Sequence, residues 1–212
     1  MSAQDKTREL DETLDESMLP ADPMDLFARW MADVVAIGLP EPTAMALATV
    51  SADGRPRARM VLLKAYDASG FTFYTNRTSR KASDLADVPR ASLLFPWYAI
   101  QRQVIIEGTV TQLTMEESEP YFHSRPHGSQ LGAWASRQST VLGSRAELDD
   151  RYAELAERWP EDTTVPMPDF WGGYRVEPQI IEFWHGRVSR MHDRFRYRRD
   201  AGGAWAPERL AP

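Results

Sequence analysis

Positive charge is concentrated near the carboxyl end of this 212-residue sequence, between residues 190 and 199. The stretch holds five arginines and a histidine: Arg190, His192, Arg194, Arg196, Arg198 and Arg199. If it forms a β-strand, alternation places Arg190, His192 and Arg194 on one face. Three cations so placed repel one another unless an anion or carboxylates compensate. The pattern therefore predicts a pocket for an anionic ligand.

A second cationic segment is YTNRTSRK, residues 74–81, where a predicted strand, a turn and a helix start meet. A helix N-terminus with arginine and lysine beside it, here Arg80 and Lys81, suits a phosphate group. An exposed charged turn is the alternative, and the segment alone does not separate the two. Tyr121, Arg125 and Ser129 recur at a spacing of four, so on a helix they would share one face and could clamp a phosphate or hydroxyl. Ordinary polarity of a helix surface is the alternative there.

The segment RMVLLK, residues 59–64, predicts a strand with Arg59, Val61 and Leu63 on one face and Met60, Leu62 and Lys64 on the other. Lys64 could serve a ligand or simply extend to water. Three tryptophans in glycine-rich or polar surroundings could stack on a planar ring or pack into the core: Trp134, Trp171 and Trp184.

Composition excludes several classes of site. The sequence has no cysteine, which excludes disulfides, thiolate metal sites and cysteine nucleophiles. It has neither a GxGxxG nor a GxxxxGK[ST] motif, and its four histidines show no metal-binding spacing, so no metal is expected. The net charge of −6 disfavours nucleic-acid binding. We see no signal peptide and no apolar run of membrane-spanning length, and expect a cytoplasmic protein that binds no membrane.

Periodicity and turn signals predict one α+β domain built on an antiparallel β-barrel. Residues 1–19 are polar and acidic and are predicted to be a flexible arm, with residues 20–212 forming the domain. Helices are predicted at 23–37, 79–87, 114–122 and 144–159, and strands at 44–50, 57–65, 71–75, 91–95, 103–113, 174–176, 180–184 and 195–197.

Taken together, these segments resemble the pyridoxamine 5′-phosphate oxidase family over about residues 20–212. The matching stretches are RMVLLK (59–64), FYTNRTSRKA (73–82), LLFPW (93–97), RQV (102–104), EG (107–108), YFHSRPHGSQLGAWASRQS (121–139), VPMPDFWGGYRV (165–176), IEFWHGR (181–187) and RMHDRFRY (190–197). Each is weak alone, but their order and spacing together are specific. The resemblance implies an antiparallel, Greek-key-like split β-barrel with flanking helices that binds flavin mononucleotide (FMN).

The resemblance also implies roles for individual residues. The flavin would be held by Arg59, Met60, Val61, Leu62, Leu63, Lys64, Tyr74, Thr75, Arg80, Lys81, Gln103, Gln138, Ser139, Trp184 and Arg194. The substrate would meet Lys64, Tyr121, Arg125, Ser129, Arg190, Met191 and His192, with Arg190 and His192 catalytic. Family members build each active site from both chains of a homodimer. Three positions depart from the family pattern: Leu10 replaces an arm tyrosine, Ser51 an aspartate, and His185 a glutamine. With Leu10 there, we expect the arm to contribute little to closing the site.

The implied reaction is oxidation of pyridoxamine or pyridoxine 5′-phosphate to pyridoxal 5′-phosphate, with dioxygen as acceptor and hydrogen peroxide as product. Two alternatives stay open. One is a flavin oxidase of the same fold that acts on another ring, such as a phenazine precursor. The other is a non-enzymatic carrier of flavin or pyridoxal phosphate. The clamp residues Tyr121, Arg125 and Ser129 argue against the first, and Arg190 with His192 against the second.

Overall fold

The first helix shows how closely local signals set the boundaries of elements. The computed structural model describes residues 14–212, and in it α1 spans Pro23–Ala36. Asp22 Oδ1 accepts the Met24 N–H at 2.9 Å, and Pro23 occupies the first turn. The helix stops where Gly38 adopts a left-handed φ of 72°. The predicted helix is confirmed.

Within residues 14–212, nine strands form one antiparallel sheet. They are β1 (Ala44–Val50), β2 (Pro56–Leu62), β3 (Ala65–Asp67), β4 (Gly70–Asn76), β5 (Arg90–Trp97), β6 (Arg102–Gln112), β7 (Trp171–His185), β8 (Asp193–Arg199) and β9 (Trp205–Arg209). Their order is β2-β1-β5-β6-β7-β4-β3, with β8 also on β7 and β9 on β8. Two strands predicted at 174–176 and 180–184 are one long strand, and the sequence did not predict β3 or β9.

The sheet curls because the chain changes its strand partner twice, once between β2 and β3 and once along β7. The Leu63 N–H donates to Thr43 O beside β1, whereas the next N–H, that of Lys64, donates to Thr72 O of β4, both at 2.9 Å. The chain thus passes from one end of the strand order to the other, which gives the barrel its curvature. β7 pairs with β4 through its first half and with β8 through its second half. A bulge in β7 marks the change: Glu107 pairs with Ile180 and Gly108 with Pro178, so Gln179 is the extra residue. A Cβ on Gly108 would lie 2.0 Å from Glu177 O.

Aromatic side chains fill the barrel beneath α1. The ring of Phe27 lies 4.9 Å from Phe71 and 5.1 Å from Phe95, both edge-on, and Trp30 meets Phe183 at 5.2 Å. All these rings are buried. A smaller cluster, centred on Phe122, packs helices outside the barrel. The core therefore holds α1 and the sheet as one rigid unit on which the loops are arranged.

The remaining helices are α2 (Arg80–Asp87), α3 (Met115–Ser124), α4 (His127–Ala135) and α5 (Arg145–Arg158), with short 3₁₀ turns at Glu16–Met18, Tyr98–Ile100 and Val188–Arg190. The predicted capping box of α3 is present: Thr114 Oγ1 accepts the Glu117 N–H at 3.1 Å, and Glu117 Oε2 accepts the Thr114 N–H at 2.8 Å. The sequence did not predict α4. No helix of the described chain is long and apolar enough to cross a membrane.

The end of the predicted arm contacts the domain. Leu14 is buried, and both Glu16 carboxylate oxygens pair with Arg209, at 2.6 and 2.9 Å. Arg29 Nη2 donates to Met18 O at 3.0 Å. Leu10 lies outside the described residues, so its predicted effect stays a prediction.

Candidate active site

One open cleft of about 550 Å³ gathers most of the predicted site residues. It is lined by Arg59, Met60, Val61, Leu62, Lys64, Tyr74, Thr75, Lys81, Tyr121, Arg125, Pro126, Ser129, Gln138 and Trp171. β2 and β4 supply one wall, and the segments around α3 and α4 supply the other. Residues that are more than sixty positions apart in sequence therefore face one space, with cations at both ends.

The basic end of the cleft continues into a pocket at the start of α2. Its lining residues are Arg57, Ala58, Arg59, Arg80, Lys81 and Ser139. Ser139 holds a left-handed φ of 74°, and its Oγ accepts the Arg80 N–H at 3.2 Å. Ser79 occupies the N-cap position, but its side chain makes no capping hydrogen bond. A helix N-terminus and several cations therefore face one pocket, an arrangement that suits a phosphate.

Lys81 is the most buried cation of this pocket. Its Nζ donates to Thr75 Oγ1 at 3.1 Å, to Ser79 Oγ at 3.4 Å and to Gln138 Oε1. Within the described residues it forms no ion pair with a carboxylate. Burial, followed by the nearby Arg59 charge, lowers the pKa of Lys81 to about 8. A buried ammonium held by neutral groups fits the phosphate of a cofactor such as FMN.

The other end of the cleft is an aromatic stack topped by a guanidinium. Tyr74 stacks on Tyr121 with centroids 4.1 Å apart and on Trp171 at 5.3 Å, and the Arg125 guanidinium lies 4.9 Å from the Trp171 ring centroid. Burial lowers the pKa of Arg125 and raises that of Tyr74. Gly173 permits this packing, since a Cβ there would approach Tyr74 to 2.9 Å.

The predicted clamp is assembled, although not on one helix. α3 ends at Ser124, and Pro126, which cannot continue a helix, precedes α4, so the prediction of one shared helix face for Tyr121, Arg125 and Ser129 is wrong. Arg125 Nη2 instead donates to Ser129 O at 2.7 Å across the break. All three residues line the cleft beside Lys64.

A second group of predicted site residues lies on other strands. Within the described part of the chain, no member of this group lines the cleft. Gln103 on β6 pairs with Trp184 on β7, which pairs with Arg194 on β8, so the three form a row across the sheet. The His192 ring lies 4.6 Å from the Trp184 ring. Arg194 Nε donates to Glu182 Oε1 at 2.9 Å. This row lies apart from the residues that line the cleft.

The predicted strand through Arg190 is wrong. Residues Val188–Arg190 form a 3₁₀ turn, Ser189 and Arg190 have left-handed φ values of 56° and 61°, and β8 begins only at Asp193. Arg190 and Met191 are exposed on this turn. The cations at 190, 192 and 194 therefore do not share a strand face. Consecutive non-glycine residues at positive φ are strained, a feature common where a loop must present a side chain.

A backbone N–H group determines which ring nitrogen of His192 accepts a hydrogen bond. Its Nδ1 accepts the Arg187 N–H at 3.0 Å. A neutral imidazole whose Nδ1 accepts carries its proton on Nε2, so Nε2 can donate to a ligand. His192 is thus arranged as a donor through Nε2.

Two side chains that line these spaces, Arg57 in the basic pocket and Trp171 in the cleft, were not assigned to the site from the sequence. Arg57 was not selected, although it lies two positions before Arg59 on the same face of β2; period-two alternation would have indicated it. Trp171 was weighed only as one of three tryptophans. Ser51, where an aspartate was expected, bonds to Asp53 Oδ1 in the β1–β2 turn, and His185 is buried beside Trp30.

Sequence comparisons relate most of the chain to known proteins. Residues 31–158 match the family "Pyridoxamine 5′-phosphate oxidase", and residues 171–212 match "Pyridoxine 5′-phosphate oxidase C-terminal dimerisation region". Proteins named pyridoxine/pyridoxamine 5′-phosphate oxidase are 57% identical in Acidothermus cellulolyticus, over 94% of this chain and 90% of that protein, and 53% identical in Streptomyces avermitilis, over 95% and 92%.

Solved structures of related proteins share the fold of this chain. PhzG from Burkholderia lata 383, crystallised with tetrahydrophenazine-1-carboxylic acid, superposes with a TM-score of 0.89 at 34% identity and covers 95% of this chain and 98% of its own. A pyridoxamine 5′-phosphate oxidase-related, FMN-binding protein from Nostoc punctiforme shares the fold, with a TM-score of 0.70 at 16% identity over 92% of this chain and 99% of its own. The predicted split barrel is confirmed, and this chain belongs to the pyridoxamine 5′-phosphate oxidase family.

Proposed function

We propose that this chain is an FMN-dependent oxidase that converts pyridoxamine and pyridoxine 5′-phosphate to pyridoxal 5′-phosphate. The observation that carries the proposal is the charge distribution in the cleft. Arg59 and Lys81 lie at one end, and Lys64 and Arg125 line the same space beside the aromatic stack. Two groups of cations in one cleft suit a phosphorylated cofactor beside a phosphorylated substrate.

The residues of the basic end would hold FMN by its phosphate. Arg59, Arg80 and Lys81 supply charge-assisted donors, and Thr75 with Gln138 holds the Lys81 ammonium in place. When bound, the flavin would accept a hydride from the substrate and pass the electrons to dioxygen, which yields hydrogen peroxide. The protein contributes binding, orientation and exclusion of water.

The row of Gln103, Trp184, His192 and Arg194 would complete the site of a partner subunit. The family resemblance implies that these residues contact the ligands, yet they lie apart from the cleft of their own chain. A homodimer joined through the 171–212 region would bring the row of one subunit to the cleft of the other. Arg190 would then position the substrate and stabilise developing negative charge, and His192 Nε2 would donate to a substrate oxygen.

Turnover with defined substrates tests the function. The purified, flavin-loaded protein is expected to oxidise both phosphorylated substrates, with one equivalent of peroxide per pyridoxal phosphate. Unphosphorylated pyridoxine has no phosphate for Lys64 and Arg125 to bind. Its kcat/KM should therefore be at least about hundredfold lower than that of pyridoxine 5′-phosphate. Oxidation of a reduced phenazine carboxylate without turnover of either vitamin B6 phosphate would favour the phenazine-type alternative. Flavin binding without turnover of any of them would favour the carrier.

The lowered pKa of Lys81 predicts that FMN affinity depends on pH. A phosphate beside the ammonium raises the pKa of Lys81 in the complex above its value of about 8 in the free protein. Affinity should therefore be constant between about pH 7 and 8 and fall above pH 8, by up to about tenfold per pH unit, until the bound-state pKa is reached.

Fluorescence titration of the apoprotein with FMN between about pH 7 and 10 measures this dependence, starting above the second ionisation of the phosphate near pH 6. Lys81→Arg is the matched control, because guanidinium stays protonated throughout and its profile should lack the fall. An identical fall in both proteins would contradict the assignment to Lys81.

A further inference from the structure

A buried carboxylate lies behind the basic pocket. Asp84, in the middle of α2, is 2% exposed. Thr49 Oγ1 donates to its Oδ2 at 2.7 Å, and Arg57 Nη1 donates to its Oδ1. Arg59 Nη2 lies 3.7 Å from Oδ2. A carboxylate removed from water needs such partners, so these contacts hold both arginines in place.

Arg59 is fixed from a second direction. Its Nη1 donates to Leu47 O at 3.0 Å and to Thr49 Oγ1 at 2.8 Å. The Thr49 hydroxyl thereby accepts from Arg59 while it donates to Asp84. α2, β1 and β2 are thus joined behind the pocket by one hydrogen-bonded network.

Arg57 differs from Arg59 in how much of its guanidinium is committed. Its side chain is 31% exposed and lines the pocket next to Arg80 and Lys81. Nη1 is bound to Asp84, whereas Nε and Nη2 make no hydrogen bond or ion pair within residues 14–212. The group is held at one nitrogen and has donors left for a ligand. Because its geometry is already restricted, little side-chain entropy remains to be lost on binding an anion.

The balance of charge in the pocket also favours an anion. Four cationic side chains line this pocket, and the single buried carboxylate behind them cannot neutralise all four. Arg57 and Arg59 project from the same face of β2, since they are two positions apart in a strand. Like charges at this spacing repel unless opposite charge compensates. A phosphate dianion in the pocket would supply that compensation.

We propose that Arg57, held by the buried carboxylate of Asp84, is a further ligand of the flavin phosphate, with Asp84 and Thr49 as positioning residues. This inference rests on the proposed FMN site. It adds one cation to the set that the family resemblance implied.

Paired titrations of the apoprotein with FMN and with riboflavin, which lacks the phosphate, test the role of Arg57. Arg57→Ala should raise the Kd for FMN about tenfold and leave the Kd for riboflavin unchanged. Arg57→Lys should recover part of the loss, because it keeps the charge and not the forked donors. Arg55→Ala is the matched control: Arg55 lies two positions earlier, pairs with Asp53, and its side chain is 77% exposed.

The outcomes separate this inference from the proposed function. A wild-type Kd for FMN in Arg57→Ala would overturn the inference alone. Equal losses for FMN and riboflavin would mean that Arg57 only supports the fold, which also overturns it. A wild-type apoprotein that binds FMN no better than riboflavin would overturn both the phosphate site and the inference.

A double-mutant cycle tests whether Asp84 acts through Arg57. Asp84→Ala removes the oxygen that anchors Arg57 but also a negative charge near the phosphate, so its own effect on Kd combines two opposing changes. The informative quantity is the effect of Arg57→Ala in that background. It should shrink from about tenfold to less than about threefold, because an unanchored guanidinium contributes less. An undiminished tenfold loss would show that Asp84 does not position Arg57.

Discussion

Replacing both Arg80 and Lys81 by alanine is expected to weaken FMN binding by about 10²- to 10⁴-fold. Each change removes a charge-assisted phosphate contact, and such contacts contribute about 1.5–3 kcal/mol each. The side chains act on one pocket at the start of α2, where the Ser79 side chain makes no capping hydrogen bond. The measurement is the Kd of the apoprotein for FMN, together with the flavin retained through purification.

Two controls keep this result specific. Riboflavin affinity of the double variant should change little, because riboflavin carries no phosphate. Arg145→Ala changes a residue on exposed α5 that pairs with Asp149, so this variant should bind FMN as the wild type does. Since Lys81 is buried, the thermal unfolding midpoint of each apoprotein is recorded as well. Unchanged FMN affinity in a folded double variant would remove this turn from the flavin site.

Arg190→Ala is expected to retain FMN and to lose about tenfold to hundredfold in kcat/KM for pyridoxine 5′-phosphate. The loss is that of one charge-assisted bond to the reacting substrate, about 1.5–3 kcal/mol. Arg190→Lys should restore only part of the rate, because an ammonium lacks the planar fork. Steady-state oxidation by flavin-loaded variants measures both. Wild-type kinetics in Arg190→Ala would refute its role, and loss of flavin instead of rate would mean that the side chain serves the cofactor.

Mixing two impaired variants tests whether the site is shared between subunits. Arg125→Ala removes a cationic side chain from the cleft, and Arg190→Ala removes one from the strained turn. If each site takes Arg125 from one chain and Arg190 from the other, a mixed dimer contains one intact site. Co-expression should then recover about a quarter of wild-type activity, since about half of the dimers are mixed and half of their sites are intact. Recovery no greater than the average of the two variants would contradict a shared site.

Local signals account for the elements that the sequence predicted well. The Asp22-Pro23 start of α1 and the Thr114 capping box depend on contacts between residues at most four apart. Such interactions form wherever the segment is placed, so a sequence pattern is enough to indicate them. The alternation along β2 is of the same kind, and it would also have indicated Arg57.

Predictions from the sequence were wrong where a long-range contact or a strained backbone determined the local structure. A run of alternating cations predicted a strand through Arg190, but the chain there makes a tight turn with two left-handed residues before β8 starts. Only packing of the surrounding structure can maintain such a conformation. The spacing of the clamp suggested one helix, whereas Pro126 divides it and the hydrogen bond from Arg125 to Ser129 O rebuilds the arrangement.

The sequence by itself supplied the residue types of the candidate site, indicated an anionic ligand and, through the order of its motifs, indicated the family. The tertiary structure decided which of those residues meet. Curling of the sheet at Lys64 brings β2 to β4 and closes the cleft, while the 27-residue separation of Arg57 and Asp84 is bridged only when α2 packs on β1 and β2. The row at Trp184 stays apart from the cleft, because β4 pairs with the first half of β7, residues 171–176, whereas Trp184 lies in the second half, which pairs with β8. Contacts of this kind depend on the closed sheet as a whole, which no local pattern encodes.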